Sequence, residues 1–406
     1  MNQTVITYIS IYSIALWVNV IGCINSGYFS GDLKGVKVEL DNGSLLLIAV
    51  INQLIIISSF FLFKFFTSRN ITTGNFIFEI NKNRFSKFMF FILIIHIAYF
   101  RVTDVGRVFG HATSPFSPLF SLIGPSGIFY FYYLYVRKNG GGLFFLNVAL
   151  FSSLELMKGW SSFLLIMAFF ELYFFVDKYK ENKIIKTPFL FSIIIPVLFL
   201  VIGGGAYKYI YIFKNDVRGI VLQNNEITYS DALSRFSDRL SYFSASAGIY
   251  SKLDDVVSIS KSEDDLAEIK GFFRPIVPKF IMENKDFKVI SNTTMLAFFP
   301  DYPPNSGIDM GSLMYYWVLY ETRPASAIFV GITSIACLIV LICFYRIISS
   351  NQKSIEFLIF LMIFSMLYTA DLEVIFSGLY LKGLLFILFF LLFGILKIKK
   401  HNKISA

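Results

Sequence analysis

Histidine and cysteine are nearly absent from this chain, with three of each among 406 residues. His96, His111 and His401 lie far apart in sequence, and neither a His-Glu-x-x-His pattern nor a Cys-x-x-Cys pair is present. That argues against a zinc site, and nothing resembles a paired-carboxylate metal site. Cys23, Cys337 and Cys343 fall in or at the ends of apolar segments, so no disulfide framework holds the one long polar stretch together. Charge is also scarce, at 16% of residues. No glycine-rich loop runs into Lys-Ser or Lys-Thr; the triplet Gly203-Gly204-Gly205 reads as the close of an apolar segment, and no ATP-driven engine is visible. The first apolar segment lacks a basic leader and a small-residue cleavage site, which reads as a retained helix rather than a removable signal peptide.

What the chain has is apolar length. Hydrophobic residues make up 56% of it, including 48 Phe. Crossing the ~30 Å hydrocarbon layer takes ~20 mostly apolar residues at ~1.5 Å rise each. Such segments lie near 4–24, 44–66, 87–102, 116–136, 143–157, 160–177, 188–207, 324–345, 354–370 and 379–396. The stretch 143–177 reads either as two short helices around Met157-Lys158-Gly159-Trp160 or as one span with a re-entrant piece. The fold class is therefore an all-α polytopic integral membrane protein with about ten, at most twelve, transmembrane helices. It divides into helices one to seven (1–207), a large polar loop (208–323), and three further helices with a basic tail (324–406).

Basic residues set the orientation. With the N-terminus in the cytoplasm, the inward connections hold Lys64, Arg69, Lys82, Arg84, Lys87, Arg137, Lys138, Lys178, Lys180, Lys183, Lys186, Arg346, Lys353, Lys397, Lys399, Lys400 and Lys403. The short outward connections hold only Lys34, Lys37, Arg101, Arg107, Lys158 and Lys382. This bias predicts both termini in the cytoplasm and the long loop outside. The formal charge of +9 is then mostly a topology signal, and nucleic acid is excluded as a partner for want of a concentrated basic face.

Within the loop, Tyr229, Leu233, Phe236, Leu240 and Phe243 recur at helical spacing and predict one helix over Ile227–Ala247. Arg235 and Arg239 are four apart on one side of it, with Asp231 and Asp238 nearby. Two readings stand: surface ion pairs, or arginines aimed at an anionic lipid headgroup. Ser258–Lys270, with Glu263, Asp264, Asp265 and Glu268, reads as a solvated helix face. Pro275 and Pro278 hold Arg274 in a stiff segment, fit either to grip pyrophosphate or to anchor at the membrane surface. Aromatic residues from Phe298 to Trp317 suit sugar stacking and membrane-interface anchoring equally. Asp309 and Glu321 are the carboxylates nearest the next span.

Ionisable residues also gather at other outward span ends. Arg101, Asp104 and Arg107 are spaced three apart and predict an alternating row if the third helix continues through them, either a structural ladder or a guanidinium pair for diphosphate. Glu155 and Lys158 flank a turn, and Asp371 and Glu373 sit near Lys382. Clustering at the outward surface fits work on a headgroup better than ion passage.

With its apolar spans, the Leu-x-Lys-Gly-Trp element at Leu156–Trp160, and a large loop containing Arg235-Phe-Ser-Asp-Arg239, the chain resembles the bacterial O-antigen or capsule repeat-unit polymerases of the Wzy type. These are similar to the O-antigen ligases and to membrane-embedded C-type glycosyltransferases. The resemblance implies a multi-pass protein of the bacterial inner membrane whose loop is periplasmic. It implies joining of undecaprenyl-diphosphate-linked oligosaccharide units, with release of undecaprenyl diphosphate and without a cofactor. Membrane lipid, a chain-length regulator and a flippase are the implied partners. Diphosphate binding is carried to Arg235 and Arg239, and then to Arg274, Arg101, Arg107 and Arg218. Asp309, Glu321 and Asp104 are the candidates for the base that takes the acceptor proton. The ligases rely on a loop histidine, and none occurs between residues 112 and 400. The alternatives are a polysaccharide flippase or transporter, a ligase-like enzyme, an O-acyltransferase using His96 or His111, and a scaffold for an assembly complex.

Overall fold

A computed structural model describes residues 2–68, 76–107, 112, 114–181, 190–217, 228–273, 287–301, 307–348, 353–369 and 382–400. The predicted apolar runs are helical: α1 Asn2–Ser26, α2 Asn42–Ser68, then strand β1 Phe76–Ile80, α3 Lys82–Thr103, α4 Ser117–Leu122, α5 Pro125–Val136, α6 Gly142–Met157 and α7 Ser162–Glu181. A π-helical turn, Leu190–Ile194, leads into α8 Ile195–Val217. The polar excursion holds α9 Tyr229–Asp238, α10 Phe243–Ser251, α11 Leu253–Lys261, α12 Ala267–Phe273, α13 Ile290–Phe298 and α14 Gly311–Thr322. It is followed by α15 Pro324–Ile348, α16 Lys353–Phe364, α17 Lys382–Leu392 and strand β2 Leu396–Lys400.

Among the described residues, four helical segments are long and apolar enough to cross a membrane: Gln3–Ser26, Asn42–Thr67, Lys82–Thr103 and Phe191–Val217. Gly142–Met157, Pro324–Val340 and Ser354–Thr369 are apolar but shorter. Leu47, Leu54 and Phe61 stand exposed at seven-residue intervals along α2, and Ile328, Ile332, Ile335 and Ile339 stand exposed at intervals of three or four along α15. Apolar stripes of that length on a surface call for a lipid or protein cover. The fold is that of a predominantly helical membrane protein.

Several expectations are corrected. The helical class holds, but it carries one unexpected short ribbon, in which β1 pairs antiparallel with β2, Ile80 opposite Leu396 and Glu79 opposite Lys397. The alternation Leu-Lys-Ile-Lys over 396–399 has the two-residue period of a strand, which the basic charge of the tail masks. The ribbon is tied to the start of α3, where Asn81 N–H donates to Ile395 O (2.8 Å) and Arg84 Nη1 donates to Gly394 O (3.2 Å). The segment 116–136 is broken between α4 and α5, with Pro125 opening the second helix, where its missing N–H costs nothing. In 143–177 the two-helix reading matches α6 and α7.

The core is aromatic. The Tyr8 and Tyr12 hydroxyls lie 3.0 Å apart, and the Tyr8 ring packs on Phe169 of α7 and Phe364 of α16 at 4.5 and 5.0 Å. Phe129 and Phe151 stack at 3.8 Å between α5 and α6. Pairs like these contribute about 0.5–1.5 kcal/mol each beyond burial, a use for the phenylalanine excess. Polar pins supplement them: buried Asn147 of α6 donates to Ser86 O and to the Tyr132 hydroxyl. Arg137 makes a bidentate pair with Glu171 of α7, at 2.8 and 3.1 Å.

The triplet Gly203-Gly204-Gly205 does not close a helix. It lies inside α8, which continues ten residues past the expected boundary at 207/208 and forms a groove for α9. A Cβ on Gly203 would sit 2.4 Å from Phe236 Cε1, and one on Gly204 would sit 2.9 Å from Leu233 Cδ1. The Tyr229 hydroxyl closes the contact by donating to Val201 O at 2.6 Å. The helical stripe read from the sequence is thus the face that α9 buries on α8. Gly203→Ala is expected to displace α9, destabilising the contact by about 1–3 kcal/mol. A cysteine pair across α8 and α9 checks this, since cross-linking should fall in the Ala variant; unchanged cross-linking removes the groove account.

Candidate functional site

Only half of the predicted helix over Ile227–Ala247 is continuous. Thr228 caps α9 by accepting from Asp231 N–H, and the helix ends at Asp238, where the Arg239 N–H bonds back to Arg235 and Phe236. The chain turns and restarts as α10 at Phe243. Leu240 and Phe243 stay fully buried, so the apolar stripe survives the break.

That turn places the two arginines over α8. The Arg235 guanidinium lies 4.4 Å from the Tyr211 ring centroid. Tyr207 lies close enough to Arg239 to favour its charge. Tyr207 and Tyr211 share the four-residue spacing of Arg235 and Arg239, so two tyrosines on one helix seat two arginines on the other. Protein atoms surround much of Arg239, yet part of its surface stays open to solvent. Burial works against its charge, but Tyr207, Asp32 and Asp309 outweigh it and hold the guanidinium above its usual range.

Asp32 enters from the turn between α1 and α2. Gly31 takes a φ of +65°, which suits glycine, and its N–H donates to Asp238 Oδ2 at 3.0 Å. Burial pushes the Asp238 carboxyl above the usual range, against the pull of Ser30, Gly31, Arg239 and Lys34. With Gly31 bonded to Asp238, their chain neighbours Asp32 and Arg239 are brought together. Asp32 Oδ2 in turn accepts the backbone N–H of Asp309, a long hydrogen bond at 3.4 Å. Asp32 and Asp309 are both exposed, so the cluster opens to solvent.

Two buried atoms of α9 are left short. Arg235 Nε and Asp238 Oδ1 have no hydrogen-bond partner. A buried unsatisfied polar atom costs about 1–3 kcal/mol, and the cation–π contact returns about 0.5–2 kcal/mol.

The other candidates scatter. Asp104 ends α3 in a left-handed conformation (φ +54°), so the helix does not carry an Arg-Asp-Arg row. Asp104 pairs with Arg107 at 2.8 Å, while Arg101 is exposed on the last turn of α3. Glu321 is exposed on α14 and makes no ion pair with Arg323. Instead Arg323 turns inward to Glu268, which also accepts from Tyr315 (3.0 Å) and from the Ile290 N–H (2.6 Å). Ser258–Lys270 is therefore not wholly a solvated face, because Glu268 is buried within it. Arg218, Arg274, Asp371 and Glu373 lie outside the described residues.

Of the nine residues singled out, Arg235, Arg239 and Asp309 come together; Asp32, Tyr207 and Tyr211 complete the cluster and were not anticipated. The matched spacing of tyrosines and arginines is a signal the sequence carries. Asp32 has none.

Fold and cluster define a predominantly helical membrane protein whose polar domain presents arginines and carboxylates at the end of a long apolar helix. Comparison with family models, curated proteins and solved structures finds no match for the chain.

Proposed function

We propose that this protein is a membrane glycosyltransferase that joins lipid-diphosphate-linked oligosaccharide units into a polysaccharide. The observation that carries the reading is the Arg235–Arg239 pair on Tyr211 and Tyr207, with Asp309 and Asp32 beside Arg239. Arginine suits a diphosphate because its planar fork makes bidentate contacts and stays charged. Asp309 is the base assigned by this reading. It takes the proton of the acceptor hydroxyl as that oxygen attacks the anomeric carbon. The bond from that carbon to the diphosphate oxygen breaks, and the electron pair leaves on the diphosphate, where the arginines neutralise it. Orientation of the two glycans supplies much of the remaining acceleration.

In this reading about ten helices cross the bacterial inner membrane, both termini lie in the cytoplasm, and 208–323 faces the periplasm. The excess of basic residues on the inward connections supports that orientation. The substrate is an undecaprenyl-diphosphate-linked repeat unit, and a flippase and a chain-length regulator are the expected partners.

Deleting the gene is expected to collapse the surface glycan ladder to a single repeat unit on its carrier. Gel separation of the extracted glycan reads this directly. Loss of every repeat unit, the single one included, points instead to a flippase or a ligase and overturns the proposal.

A further inference from the structure

We propose that Asp32, on the turn between the first two helices, is a positioning residue that holds Asp309 in place through its backbone N–H. The inference rests on the glycosyl-transfer reading above and deepens it, because that reading names Asp309 as the base but leaves open what keeps it in register with Arg239.

The turn carrying Asp32 is firmly seated without Asp32. Leu33 is fully buried and Phe29 nearly so, and a Cβ on Gly248 of α10 would sit 2.2 Å from Leu33 Cδ1. Ser30 and Ser244 hydroxyls lie 2.8 Å apart, and the Gly31 N–H is held by Asp238. Asp309 is presented in the same way. Its neighbours Ile308 and Met310 are buried, the Ile308 N–H donates to Ser291 O at 3.2 Å, and Met310 O accepts from Ser246 at 3.4 Å. Two independently anchored segments therefore meet where Asp309 N–H donates to Asp32 Oδ2.

An exposed hydrogen bond of this length adds little to folding. Catalysis weighs it differently, because a shift of about 1 Å in a reacting group can lower a rate ~100-fold. Asp32 is thus nearly neutral for stability and important for placement. The two roles separate by substitution. Asparagine keeps an oxygen that accepts the Asp309 N–H; alanine does not.

The test uses full-length protein in nanodiscs with the lipid-linked repeat unit isolated from the deletion strain. Asp32→Ala is expected to lower kcat roughly tenfold or more, with KM for the lipid-linked unit and the unfolding temperature near wild type. Asp32→Asn is expected to stay within about threefold of wild type. Hydrogen exchange in the peptide around Ile308–Met314 should quicken in the Ala variant and not in the Asn variant, a readout that needs no turnover. If Asp32→Ala elongates at the wild-type rate while the wild type is active, this inference falls and the function stands. If Asn is as impaired as Ala, the charge rather than the hydrogen bond matters, and the positioning role is wrong. A folded wild type that never elongates overturns the function and this inference together.

Discussion

Arg239→Ala is expected to lower elongation by roughly 10²–10³-fold at normal protein level, the loss seen when one donor to a developing oxyanion is removed. Arg239→Lys should recover only a small part, since an ammonium cannot reproduce the fork that meets two phosphate oxygens. The guanidinium sits where Tyr207, Asp32 and Asp309 all favour its charge, and it stays partly open to solvent. A diphosphate arriving there finds a cation already oriented, with little reorganisation left at the moment of reaction. Arg235→Ala should cost less, because its guanidinium lies on the Tyr211 face with one donor buried. Single-turnover rates with purified variants check the order. Wild-type rates from Arg239→Ala would remove the cluster from the chemistry altogether.

The second large effect concerns stability rather than chemistry. Glu268→Ala or Arg323→Ala is expected to destabilise the polar domain by about 3–5 kcal/mol, because each leaves its buried partner uncompensated. Arg323 is 1% exposed and Glu268 is 8% exposed, so water cannot easily take over the lost contact. Arg323 also donates to Ser260 O and Lys288 O, which ties α11 and the segment before α13 to the mouth of α15. The double replacement Glu268→Leu with Arg323→Met should be milder than either alanine variant, since no lone charge remains buried. Protease resistance of the polar domain in detergent measures all three. Single variants as resistant as wild type would show that the pair contributes nothing net.

The helices were legible because apolar runs near membrane length leave little else for the backbone to do. The arginines were legible for a similar local reason, since Arg235 and Arg239 recur at one helical turn beside a clear apolar stripe. What escaped the sequence is whatever depends on distant residues meeting. Asp32 and Asp309 are hydrogen-bonded across 277 positions, and neither carries a local pattern that names the other. Glu268 sat in an acidic run that looks solvated, and only the fold shows one of its carboxylates turned inward to Arg323. The glycine triplet misled for the opposite reason. Consecutive glycines favour a helix end on propensity, yet here the close approach of Phe236 and Leu233 decides.

The ribbon of β1 and β2 also bears on how the chain is made. Its strands are separated by roughly 300 residues, and synthesis at about 5–20 residues per second places ~15–60 s between their departures from the ribosome. Through that interval β1 and the first turn of α3 lack the partner that satisfies them. The start of α3 is therefore fastened by a segment made roughly 300 residues later, so a truncation before Leu396 is expected to leave β1 unpaired.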